Sequence, residues 1–481
     1  MADPVVSTDR GALRGVKTPN GYAFWGVPYA KAPFGPRRFR PPEVTERWEG
    51  ERPAQRPAPT APQPAPGFTI IPEPRIDGGE APACLSLNVF TPELGPAAGL
   101  GVLVWIHGGG FVSGTPSSPW YNGDRFARDG VVVVSVGYRL GAEGFLNIPG
   151  APPNRGVLDW ICALEWVQRN IAAFGGDPAK VTVGGQSAGG LAAMLLATLP
   201  RGTGLMRALI AMSGSVFPAR SADRALELTE RIARHLGIEA TLGAFERVPP
   251  GALVEAQVAA MSGRGVSLAE RVGRELPLFP VVDGDVVRVS PDAAVAGGAG
   301  SQLALLIGTT AEEFNPSVGM VQLDEAMATE ALERLGLDAA GRAWYRSLGR
   351  SPADWVGQAV TDRSFKIPAL RVAEARTTAP APTFHYEFQW RSPALNGIGA
   401  VHCLDLPFVF DVLDDDHVNV VAGEAPPQEL ADRMHIAWVN FVTGGDPSWP
   451  AFTAARRATM VFDETCMVRE DLHEPIRSLW P

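Results

Sequence analysis

Residues 180–199 read KVTVGGQSAGGLAAMLLATL, and this stretch decides the fold. A β-branched run at 181–183 leads into Gly185-Gln186-Ser187-Ala188-Gly189, and an Ala/Leu/Met segment that has to be helical leads out. With 53 glycines in 481 residues, about a quarter of one GxSxG match is expected by chance, so the pentapeptide alone says little. Its position between a strand and a helix says more. A serine at such a turn is held in a strained conformation that only small neighbours permit, with its hydroxyl projecting into a cleft. Ser187 therefore reads as a nucleophile.

Working outward, strands are expected at 102–106 (VLVWI), 131–138 (VVVVSVGY), 208–212 (ALIAM), 303–310 (LALLIGTT) and 383–390 (TFHYEFQW). The last of these reads as the final strand. Val157, Leu158, Ile161, Leu164, Val167 and Ile171 recur at helical spacing over 156–173, before the stop signals Gly175-Gly176-Asp177-Pro178. Continuous apolar strands separated by helices indicate an α/β class fold, with a large, mostly parallel sheet covered on both faces. Residues 52–82 are rich in proline, which fixes φ and removes an amide donor, so an extended loop is expected there. Residues 217–300 and 315–380 read as largely helical insertions over the site, within one domain spanning 1–481.

The bulk numbers exclude several classes. Apolar residues make up 46% and charged residues 20% of the chain, enough apolar sequence for a large core. The net charge of −10 comes with no Lys/Arg cluster, and its sign opposes the phosphate attraction behind nucleic-acid binding. No run of eighteen apolar residues and no signal-like N-terminus is visible, so a cytoplasmic protein without a membrane span is expected. Cys84, Cys162, Cys403 and Cys466 form no CxxC pair, which suggests reduced thiols rather than disulfides or a zinc site. Four lysines among 42 basic residues point to a GC-rich bacterial genome. No metal or cofactor is expected, and the chain reads as a monomer or weak homo-oligomer.

Acyl chemistry at Ser187 needs more parts. The strand at 102–106 runs into His107-Gly108-Gly109-Gly110-Phe111, a loop whose backbone can approach a ligand closely. The amides of Gly109, Gly110 and Ala188 are the candidate donors for a developing oxyanion. Of seven histidines, His235 lies in a charged helix, His385 in a strand, His417 after a run of aspartates, His435 in a C-terminal helix and His473 near the end, while His107 precedes the glycines. His402 alone follows a strand in a loop beyond Ser187, in the order serine, acid, histidine, and reads as the base. The acid should follow the 303–310 strand, where residue chemistry leaves Glu312 and Glu313 both open. Cys403, beside His402, reads as a small buried residue rather than a redox switch.

The chain resembles type-B carboxylesterases, the family of cholinesterases and bacterial para-nitrobenzyl esterases. The matches run from residue 6 to the end. They include FWGVPYAKAPFGPRRFRPP (24–42), CLSLNVFTP (84–92), WIHGGGF (105–111), residues 131–146 and 154–190, GTTAEEF (308–314), VHCLDLPFVF (401–410) and AWVNFVTGGDPSWPAF (437–452). The resemblance implies an α/β-hydrolase fold and a serine carboxylesterase acting on small ester substrates, with Glu313 as the acid and His402 as the base. The same machinery could serve carbamates, amides or acyl transfer, and some relatives of this kind are non-catalytic recognition proteins. Three departures stand out. Gln186 replaces the usual Glu before the nucleophile, which should weaken selection for cationic substrates. Ala81-Pro82-Ala83 lacks the acidic step expected to pair with an arginine near Arg38, and Cys84 has no upstream cysteine. Residues 52–104 contain no Trp, so a choline-stacking site is not expected.

Overall fold

The computed structural model describes residues 3–65, 70–216, 220–262, 278–315 and 323–480. The predicted strands form, and they do so because their residues are buried on both faces. Along Leu100–Ile106 and Val131–Val136 alternate side chains enter opposite cores, as the period of two demands. Val102, Val104 and Ile106 join Val132, Val134, Val136 and Trp160 on one face. Leu103 and Trp105 join Val131, Val133, Phe410 and Trp438 on the other.

In chain order the strands of the main sheet are β1 (Val16–Thr18), β2 (Gly21–Pro28), β3 (Ser86–Thr91), β4 (Leu100–Ile106), β5 (Val131–Val136) and β6 (Gly176–Gln186). They continue with β7 (Ala208–Met212), β8 (Ala304–Thr310), β9 (Thr383–Phe388), β10 (Ala458–Phe462) and β11 (Met467–Glu470). The eleven are ordered β11-β10-β9-β8-β7-β6-β4-β5-β3-β2-β1. The block from β10 to β5 is parallel throughout, and antiparallel strands finish both edges. This is the α/β-hydrolase architecture.

The strand at 383–390 is not the last one. β10 pairs parallel to β9, and β11 turns back against β10. Both are short, and β11 reads MVRE and is largely exposed, so neither carries a long apolar signal. The prolines of 52–82 act as expected beyond the edge: Glu51–Pro53 pairs with Ala12–Arg14, and no helix or strand follows until β3 among the described residues.

Helix α1 (Arg155–Asn170) covers the first face and α2 (Ala188–Thr198) lies beside it, while α3 (Gln428–Gly444) covers the second. A 3-10 turn at Ile171–Phe174 ends α1, and Gly175 closes it at φ 85°, where a side chain would be strained. Helices Ala222–Leu236 and Pro250–Met261 follow β7. Helices Glu325–Arg334, Ala339–Ser347 and Pro352–Thr361 form a small apolar core of their own with Ile476 and Trp480.

Arg38 is not left without a carboxylate. Its guanidinium lies 2.6 Å from Glu143, both buried, so a glutamate on the turn Gly141–Phe145 supplies the charge that residues 81–83 lack. Cys84 is a buried free thiol; burial, reinforced by nearby Asp159, pushes its pKa up to about 12.

Candidate active site

In a parallel sheet the carboxyl ends of the strands face one side, and loops leaving them converge there. Here β4 ends at Ile106, β6 at Gln186, β8 at Thr310 and β9 at Phe388, and every candidate residue follows one of these ends.

Ser187 sits between β6 and α2 at φ 56°, ψ −123°, a region that non-glycine residues avoid. The strain is held from both sides. Ser187 N–H donates to Met212 O at 2.8 Å, and Leu191 N–H donates to Ser187 O at 3.0 Å. A Cβ on Gly189 would run into the backbone carbonyl of Ile106, so β4 packs against the elbow with no room for any other residue. The N-terminus of α2 opens at Ala188, and its first amides have no partner within the helix.

The glycine loop lies directly against this turn. A Cβ on Gly108 would come 3.2 Å from the Ser187 Cβ. Gly109 has φ 102° and Gly110 φ 60°, and a Gly109 side chain would collide with Ser113. The loop is braced from below by His107, whose Nδ1 lies 2.8 Å from Gly108 O and whose ring stacks on Tyr138. Burial pulls the His107 pKa down to about 4, so this imidazole stays neutral.

Glu313 and His402 are brought together. His402 Nδ1 lies 2.5 Å from Glu313 Oε2, and Glu313 Oε1 accepts from Thr310 N–H at 2.9 Å. The Glu313 side chain is fully enclosed while that of His402 keeps 20% exposure, so only the imidazole is open to a reactant. Burial works against charge on His402, but Cys403 and Glu313 raise its pKa more strongly, leaving it well above the ordinary value. The carboxylate is the cause with a full charge, because burial keeps the Cys403 thiol protonated. Since a carboxylate can only accept, Nδ1 carries a proton, and in the neutral form of the ring Nε2 presents its lone pair.

That lone pair is occupied. Gln186 Nε2 lies 3.2 Å from His402 Nε2, and among the described residues Ser187 Oγ makes no hydrogen bond to the imidazole.

The geometry separates the two glutamates left open by chemistry. Glu312 turns away from His402 and grips the loop that carries it. Its N–H donates to Ala400 O at 2.9 Å, and its Oε2 accepts from Ala400 N–H at 3.1 Å. Its Oε1 accepts from Arg350 at 2.6 Å and also from Arg391. Sequence reasoning missed both arginines, which lie 38 and 79 residues away along the chain.

It also missed the wall behind His402. A π-helical turn, Asp362–Lys366, brings the Phe365 ring to 5.2 Å from the imidazole. Lys366 anchors that turn to Glu387 of β9 at 3.1 Å. Such turns recur at functional sites, but no residue pattern in 352–375 marks this one. Below lies Asp405, which accepts from Tyr386 O–H at 3.0 Å; burial, with help from Glu313, pushes its pKa up to about 7.

The remaining histidines stay outside this cluster. His385 and His473 lie by Glu387, His435 reaches Asp129, His417 is an exposed residue beside Asp415, and His235 lies on an exposed helix face. Cys403 is buried at φ 73°. A cavity of about 1290 Å³ opens between the proline-rich loop and helix Pro250–Met261, lined by Gln63, Arg75, Asp77, His235 and Glu255; the serine, glutamate and histidine are not in its walls.

The carboxylesterase family model matches residues 2–475. The para-nitrobenzyl esterase of Bacillus subtilis is 34% identical over 98% of this chain and 97% of its own length. Phenmedipham hydrolase of Pseudarthrobacter oxydans is 34% identical over 98% of each. A Geobacillus stearothermophilus carboxylesterase structure superposes with a TM-score of 0.86 at 35% identity, covering 99% of this chain and all of that one. A strained serine between strand and helix and a carboxylate-bound histidine beside it, in a chain matched from end to end, have one explanation: the chain belongs to the carboxylesterase family and is a serine carboxylic ester hydrolase.

Proposed function

We propose that Ser187 is the nucleophile, His402 the general base and acid, Glu313 the residue that orients His402, and the amides of Gly109, Gly110 and Ala188 the oxyanion donors. The observation that carries this reading is the 2.5 Å contact between Glu313 and His402 beside the strained serine. Ser187 Oγ attacks the ester carbonyl carbon as His402 Nε2 takes its proton. The negative charge moves to the carbonyl oxygen, where amides that have no acceptor among the described residues can hold it. Collapse expels the alcohol, which receives the proton from His402. Water then repeats the sequence on the acyl-enzyme and frees the acid.

The substrates are neutral esters, a reading supported by Gln186 next to the nucleophile, where a carboxylate would favour cations. Para-nitrophenyl butyrate turnover tests the assignment: Ser187→Ala should lower it to background and abolish labelling by a fluorophosphonate. Activity retained in that variant would overturn it.

We further read the chain as a bacterial cytoplasmic protein, active as a monomer or weak homo-oligomer. Four free cysteines support a reducing compartment. Among the described residues no helix is long and apolar enough to cross a membrane.

A further inference from the structure

The imidazole nitrogen that must receive the serine proton is already hydrogen-bonded, and its partner is a residue next to the nucleophile. Gln186 is fully buried. Its Nε2 lies 3.2 Å from His402 Nε2, while its Oε1 is buried with no hydrogen-bond partner among the described residues and borders Gly108 of the glycine loop. A buried acceptor with no donor is a rare and unfavourable state, so this amide is satisfied on one side only.

We propose that Gln186 is a positioning residue that serves both protonation states of His402, donating from its N–H to the neutral imidazole and, after a half-turn of its amide, accepting from the imidazolium through Oε1. The inference rests on the assignment of His402 as the base. When Ser187 Oγ bonds to the carbonyl carbon, its proton moves to Nε2, and N–H then faces N–H. Rotation about the terminal torsion of Gln186 removes that conflict and gives Oε1 the donor it lacks at rest. No charge is added or removed; the proton passes to the leaving alcohol, and the amide turns back. A glutamate could make only the second contact, because a carboxylate has no proton to donate.

The charges around His402 show why this matters. Glu313 is bound at Nδ1, and Cys403 and Asp405 follow on the same loop. Lys366 on the π-helical turn and Glu312, tied to two arginines, complete the set. One anion already pulls the imidazole toward its charged form. A second at Nε2 would hold the proton there, where the base has to be free.

The test is the pH profile of kcat/KM for para-nitrophenyl butyrate in the wild type, Gln186→Glu and Gln186→Met, each normalised to fluorophosphonate-labelled sites. In Gln186→Glu the acid limb should move up by about one unit or more, as an opposite charge at this range does; above both limbs the rates should converge. Gln186→Met keeps the volume but neither donates nor accepts, and should lower kcat about tenfold with KM little changed, the size of effect one lost hydrogen bond in the transition state gives. Superimposed acid limbs in the wild type and Gln186→Glu, or full kcat in Gln186→Met, would overturn the proposal while stoichiometric labelling left the triad standing. A wild type that takes no label would overturn both. Should Gln186→Glu not fold, the kcat of Gln186→Met decides alone.

Discussion

Ser187 and His402 are held in opposite ways. Ser187 is placed by backbone: two main-chain hydrogen bonds, a helix start, and a glycine, Gly189, at which any side chain would strike the Ile106 carbonyl. His402 is placed by side chains drawn from distant segments: Glu313 on its ring, and Glu312 with Arg350 and Arg391 on its loop. The difference teaches that a strained backbone needs a scaffold that cannot yield, whereas an imidazole on a loop needs side-chain partners that fix its direction.

Three substitutions probe that contrast, in decreasing order of effect. Gly189→Ala forces a methyl into the Ile106 carbonyl, which belongs to a sheet strand and cannot move aside. It should remove activity and lower stability by roughly 3 kcal/mol or more, read by thermal unfolding and labelling. An active, stable variant would mean that the elbow is not locked by its backbone. Glu313→Gln keeps the shape but loses the charge that stabilises the imidazolium, so kcat should fall by about 10³ to 10⁴ with the unfolding temperature nearly unchanged. A large loss of stability instead would recast Glu313 as a structural residue. Glu312→Gln leaves two arginines short of a carboxylate and loosens Ala400. Here kcat should drop about tenfold and stability by roughly 1–2 kcal/mol, with the acid limb of the pH profile unmoved. A shifted limb would show that Glu312 acts on the charge of His402 and not merely on its loop.

The same contrast explains what could be read from the residues. The elbow is local: a β-branched run, small residues and a helix within twenty positions, so Ser187, the glycine loop and the central strands were legible. His402 was legible by order along the chain. Residue chemistry left Glu312 and Glu313 open because both follow the same strand, and the family resemblance pointed to Glu313; in the fold Glu313 faces the ring and Glu312 faces Ala400. Arg350, Arg391 and the π-helical turn left no trace, since long-range ion pairs and one extra residue in a helical turn have no periodicity. Strands β10 and β11 escaped for a simpler reason: β10 is only five residues long, and β11, at the edge and exposed to water, lacks the apolar run that marks a buried strand. Glu143 carries no local mark as the partner of Arg38: residues 81–83 hold no acid, and the fold delivers the charge from a turn 105 residues beyond Arg38.

The pairing of Ile106 with Gly185 in adjacent parallel strands has an evolutionary consequence. The glycine loop leaves one strand and the serine leaves its neighbour, so their separation is a ladder spacing, inherited unchanged as long as the sheet survives. Helices Ala222–Leu236 and Pro250–Met261, which follow β7, hold none of the residues at those strand ends and can vary without altering that spacing. A mutational library confined to those two helices should yield mostly active protein, whereas one aimed at the strand ends should yield mostly inactive protein.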